Sequence, residues 1–294
     1  MNPSNTTIAL TQQERKGSPW TIFLWFPVIL LIALFLQTLY IIGFGWIDAL
    51  IGGIPSWLVV PIELSSGIVF ILATWFVAGT IEERSLKSLG FHRLMTKGLY
   101  IKGWLIGIVL VLVVYGLNVL LARVTSQWNQ WHTLAMILYV VGFAIQGLGE
   151  EVLCRGYLMN NISSYWGPVW GIVLNSLLFS LMHFFNPAVS FIPLLNVFLA
   201  GVLFSVIFYY NDSIWFVGAI HSAWNFMLGP VLGVPVSGNV LPDAWFITWL
   251  PKKTILWHGG DFGFEGGLVA TIVLLIATLS IVYYYEKHQK STRL

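Results

Sequence analysis

Apolar residues in this chain fall into blocks of about 20, separated by short polar, glycine- or proline-containing breaks. A helix of that length crosses a hydrocarbon core of roughly 30 Å. The pattern predicts eight spans and an all-α, polytopic membrane bundle. The first block, 20–45, is too long for a signal-peptide core and has no small-residue cleavage site behind it, so it is expected to remain as a span. The second, 56–80, follows a Gly52-Gly53-Pro55 turn and carries one acid, Glu63, placed either in the interior or near the interface. In 81–102, Leu86, Leu89, Phe91, Leu94 and Met95 interleave with acidic and basic residues, which suits a helix and turn lying on the membrane surface. Further spans are expected at 103–122, 133–162, 167–187, 191–210, 214–231 and 266–285. The 34 residues 232–265 are left as a long loop on the face opposite the termini. The domain reading is a polar, disordered tail (1–19), one transmembrane domain (20–286) and a basic tail (287–294).

The fourth block breaks its own pattern. Residues 149–156 read Gly-Glu-Glu-Val-Leu-Cys-Arg-Gly, with Glu150, Glu151 and Arg155 inside an apolar run. An ionisable side chain at membrane depth costs roughly a few kcal/mol, so three in six residues mark a functional site by default. On a helix Glu151 and Arg155 stack on one face and pair in the favourable acid-first order. Glu150 is turned about 100° away, without an obvious local partner, and is left for chemistry. The plainer alternative is that all three anchor one end of the helix. Cys154 shares the face of Glu150, but a thiol packed in an apolar helix is usually inert. As the single cysteine it excludes an internal disulfide and a Cys-based zinc site.

Other polar residues at four-residue spacing accompany this segment. Asn175, Phe179 and His183 share one face of the fifth block, and His221 and Asn225 share one face of the seventh. Taken singly, each histidine reads as satisfied by a backbone carbonyl or hydroxyl. Together with Glu150 they are the parts needed to activate a water and stabilise an oxyanion, with amide hydrolysis the natural reaction. Glu150, His183 and His221 are also the donor set of a zinc site, although the helical H-E-x-x-H pair is absent. Zn2+ dependence is left open. His92, His132, His258 and His288 fall in loops or the tail, where a solvated role suffices.

Composition supports the membrane reading: 57% of the 294 residues are hydrophobic and 9% charged, and a net charge of +2 with scattered basic residues implies no nucleic-acid partner. Eight spans put both termini on one face with eleven Lys and Arg, against Arg123, Lys252 and Lys253 on the other. The positive-inside rule makes the termini cytoplasmic and the protein a multi-pass component of the cell membrane. No internal repeat is present, and apart from Glu63 ionisable residues are not spread over several spans, which argues against a transporter.

The motifs Glu150-Glu151-x-x-x-Arg155, Phe179-x-x-x-His183 and His221-x-x-x-Asn225 together resemble those of the CPBP family, the CAAX-protease and bacteriocin-processing intramembrane endopeptidases. Arg84 to Phe91, Asn196, Gly201 and the Asn211 to Trp215 turn also resemble the family's course, so the likeness covers about 81–229. It implies a helical membrane bundle that cleaves peptide bonds at an intramembrane site open to the cytoplasmic side. By the same resemblance, Glu150 is the general base, Glu151 and Arg155 its support, His183 a partner in water activation, and His221 with Asn225 the oxyanion stabilisers. The implied substrates are prenylated CAAX-type peptides, bacteriocin leaders or other membrane-anchored peptides. A non-catalytic member, serving in bacteriocin immunity or as a scaffold, is the alternative. Between a metal-dependent and a glutamate-dependent reaction, Asn225 favours the second, being a poor zinc ligand and a good amide donor.

Overall fold

The computed structural model describes residues 5–92 and 95–291, apart from the side chains of 289–291. The chain is 77% helical with almost no strand. In order, the elements are α1 (Thr6–Glu14), α2 (Thr21–Ile51), α3 (Ser56–Ile81), α4 (Lys97–Ala122), β1 (Thr125–Trp128), α5 (Thr133–Trp166), α6 (Pro168–Met182), α7 (Phe191–Asn211), α8 (Ile214–Phe226), β2 (Phe246–Trp249) and α9 (Leu268–Ser291). Every predicted block is helical. Among the described residues six helices are long and apolar enough to cross a membrane: α2, α3, α4, α5, α7 and α9. The 15-residue α6 and 13-residue α8 are shorter than a full crossing, so the expected eight spans are six by this measure.

The two short helices differ in setting: α6 exposes Val169, Trp170, Val173, Leu177 and Leu181 along one side, whereas α8 serves the interior. All of α8 is buried except Trp215, and it packs between α4 and α5. Gly103 and Gly107 make that approach possible: a Cβ at Gly107 would stand 2.5 Å from the Ile220 carbonyl oxygen. Small residues at such crossings are the usual way for membrane helices to bring backbones together. The outer helices do the reverse. On α2, Leu31, Phe35 and Leu50 are exposed, as expected of side chains that face lipid.

The bundle has two distinct faces. On one lie α1, the turn between α7 and α8, and the end of α9. Asp212 in that turn accepts bonds from Thr6 N (2.6 Å) and Thr7 Oγ1 (2.6 Å), and Tyr210 stacks on Tyr285 at 4.5 Å. On the other lies the antiparallel pair β1 and β2, in register from Thr125 opposite Trp249 to Trp128 opposite Phe246. His132, just before α5, stacks on Trp57 there, with ring centroids 4.1 Å apart.

Several sequence expectations change. The N-terminal segment is not a disordered tail: from residue 5 onward it is a capped helix, with Asn5 accepting from Ile8 N, and it buries Thr7 and Thr11 against the bundle. Its polar side chains find partners that the sequence does not announce, including the Tyr165 ring beneath Arg15. Segment 81–102 does not lie on the surface as an amphipathic helix. Arg84 and Leu89 are buried, with Arg84 bonded to Thr11 and Ser88, and only Leu86–Leu89 form a short 3-10 turn. Helix α4 starts at Lys97, capped by Thr96, rather than at 103. Arg93, Leu94 and Arg293, counted in the charge and surface readings, lie outside the described residues. His258 is buried, with Nε2 bonded to the Pro251 carbonyl, and the loop 232–265 is structured by β2, a helical turn and this contact.

Candidate active site

Helix α5 carries the two glutamates at the point where its winding changes: α-helical to Glu151, it continues as a π-helix from Val152 to Met159. Such wide turns often occur at functional sites. The change does not break the predicted pair. Arg155 Nη1 donates to Glu151 Oε1 at 2.8 Å, and both side chains are fully buried.

The pair is not self-contained, however. The same Glu151 oxygen bonds His221 Nδ1 at 2.8 Å, while His221 Nε2 lies 3.8 Å from Glu150 Oε2. The imidazole therefore bridges the two adjacent carboxylates. Because Glu151 already accepts from Arg155, Nδ1 carries the proton and Nε2 points toward Glu150. The guanidinium is held by four further contacts: Nη2 donates to the Gly201 carbonyl (3.1 Å), Nε to Ser205 Oγ (3.4 Å), and it lies over the rings of Phe179 (4.6 Å) and Phe204 (5.5 Å). Asn175 Nδ2 donates to the same Ser205 Oγ at 2.9 Å.

Glu150 does have a local partner, which the sequence reading missed. Gln146, one turn earlier on α5, donates from Nε2 to Glu150 Oε1, and its Oε1 accepts from Asn225 Nδ2 at 3.1 Å. Gln146 thus ties Glu150 to Asn225. The signal was available, since a lone glutamine four residues before Glu150 in an apolar block shares its face.

His183 stands just past the end of α6. Its Nδ1 bonds the Phe179 carbonyl at 2.9 Å, and because a carbonyl only accepts, Nδ1 is the protonated nitrogen and Nε2 is free to accept. His183 lines the same cavity as Glu150.

Glu150, His183, His221 and Asn225, with Gln146, line one cavity of about 810 Å³. Glu63 and Glu265 line it too, and Glu63, itself exposed, stands at the cavity's edge. Glu265 is fixed by Trp224 Nε1 (2.9 Å) and by Ser237 N (2.6 Å), and it had no signal in the sequence because its partners come from α8 and a loop. Cys154 is fully buried and does not line the cavity. Among the described residues no three His, Cys, Asp or Glu side chains are grouped so as to hold a metal ion.

No curated protein matches the chain. Residues 130–227, which run from the start of α5 to the end of α8 and hold all three motifs, match the family model described as type II CAAX prenyl endopeptidase Rce1-like, a shorter stretch than the resemblance from 81 to 229, and one that identifies this part of a multi-pass helical membrane protein with the CAAX-protease, or CPBP, family.

Proposed function

We propose that the protein is an intramembrane endopeptidase that hydrolyses peptide bonds with a water activated by Glu150. The observation that carries this reading is the convergence of Glu150, His183, His221 and Asn225 from three helices on one cavity within the bundle. Gln146 occupies one oxygen of Glu150 and leaves the other toward His221 and the cavity, where a water has a base to give its proton to. His183 presents an unprotonated Nε2 and orients that water as a second acceptor. The peptide carbonyl develops negative charge during attack, and Asn225 retains one Nδ2 hydrogen beyond the one given to Gln146. His221 joins it as donor when Nε2 carries a proton in addition to that on Nδ1. That state is balanced, since Arg155 and His221 then offset Glu151 and Glu150. The proton that Glu150 takes from the water passes to the leaving amine as the C–N bond breaks.

Glu151 and Arg155 act as positioning residues. Together they fix the His221 tautomer, and the contacts from Gly201, Ser205 and Phe179 fix Arg155. The substrates are peptides or membrane-anchored proteins that reach into the cavity, and both termini are cytoplasmic by the charge asymmetry. The test is cleavage of a membrane-anchored peptide reporter by purified protein. Glu150→Gln and His183→Ala are expected to lose activity while remaining folded, and wild-type rates in both would end the proposal.

A further inference from the structure

The cavity is closed toward the face that carries the termini. On that side the lining residues Phe26, Gly67 and Phe70 are buried or half-buried, and every residue from Glu151 to Ser164 on α5, beyond Glu150, is buried. Six lining residues are exposed: Leu34, Glu63, Leu181, Phe185, Asn239 and Val240, with Phe185 at 92% and Val240 at 76%. Glu63 is seven residues into α3 from the end next to the hairpin. Phe185 lies in the α6–α7 turn, at the opposite end of α6 from Gly167. Asn239 and Val240 belong to the loop that leads to β2. The opening is thus on the hairpin face and on the adjoining flank of Leu34 and Leu181.

Charge decides which compartment that is. Arg15, Lys16, Arg84, Lys87, Lys97, Lys102 and Lys287 lie on the face of the termini, and the hairpin face has Arg123, Lys252 and Lys253. Positive charge is retained on the cytoplasmic side. Two expectations drawn from the sequence therefore cannot both hold: the charges put the termini in the cytoplasm, whereas the family resemblance puts the opening there.

We infer that the cavity opens to the extracytoplasmic side and takes segments presented from that side, such as an exported peptide or the outer end of a membrane-anchored protein. This rests on the endopeptidase reading for the nature of the substrate, but not for sidedness. The chain suits a labelling test, because its single cysteine, Cys154, is fully buried. Val240→Cys, with Asn239→Cys as a second mouth position, and Lys87→Cys as the opposite-face control, are exposed to a membrane-impermeant maleimide in intact bacterial cells and after lysis. The inference expects the mouth variants to label in intact cells and Lys87→Cys only after lysis. The reverse pattern overturns it.

Two single-span reporters add the substrate arm, one with its scissile segment at the outer membrane boundary and one at the inner boundary. Cleavage of the outer reporter, blocked when Val240→Cys is labelled from outside, supports the inference; cleavage of the inner reporter alone overturns it. Absence of any cleavage counts against the endopeptidase reading, and the labelling still decides sidedness.

Discussion

At the scale of single residues, the two glutamates differ by partner. Glu151 is fully buried between Arg155 and His221, whereas Glu150 retains 19% of its side-chain surface and faces the cavity. Substitutions should separate them. Glu150→Gln keeps the bond to Gln146 in a flipped amide and should leave thermal stability in detergent near wild type while abolishing reporter cleavage. Arg155→Met leaves Glu151 buried without its cation, and loss of one partner of such a pair costs about 3–5 kcal/mol, so a clear fall in melting temperature is expected. Gln146→Leu removes one hydrogen bond to Glu150 and one to Asn225. At about 1–1.5 kcal/mol for a bond that matters in the transition state, kcat should fall about tenfold with little change in stability. Glu63 has a further consequence. With Glu150 and Glu265 it makes three carboxylates lining a cavity that, among the described residues, no lysine or arginine lines. A reporter with lysine near the scissile bond should show a lower KM than one with glutamate, and Glu63→Gln should narrow that difference several-fold.

Helices bring these residues together through close contacts that their glycines permit. Gly149 touches Gly67 so nearly that an added Cβ would come within 2.5 Å of the Gly67 carbonyl oxygen. Gly149→Leu should therefore force α3 away from α5, at a cost on the order of 1–3 kcal/mol or more, and disturb Glu150 beside it. A joint loss of melting temperature and activity is the expected readout. The sequence showed every block as helical and placed the motif residues on their faces, because a period of 3.6 is written in local spacing. It did not show that α6 and α8 would be shorter than a crossing, or that α8 would be buried between α4 and α5, since apolar content alone does not say whether a helix meets lipid or protein. It also gave no sign that 5–14 would fold: the helix depends on Asp212 and Tyr165, about two hundred and one hundred and fifty residues away.

Over the whole molecule, the site is a polar pocket inside an apolar bundle, with the two carboxylates, the guanidinium and the imidazole of its centre drawn from α5 and α8. With Glu150 proposed as the base for a water that needs no metal, reporter cleavage should survive exhaustive chelation without loss of rate. A rate that falls on chelation and returns with Zn2+ would contradict this. By itself the sequence determined the membrane class, the helical fold, the glutamate–arginine pair and the candidate residues on three helices, because each depends on composition or on neighbours within one turn. Only the tertiary structure decided that His221 bridges Glu150 and Glu151, that Gln146 links Glu150 to Asn225, and that the cavity opens on the hairpin face. Those facts depend on which helix packs against which and at what depth, and neither is encoded in spacing along one chain segment. The Gly-Glu-Glu stretch is legible as an anomaly in the sequence, and its division of labour comes from the helices packed around it.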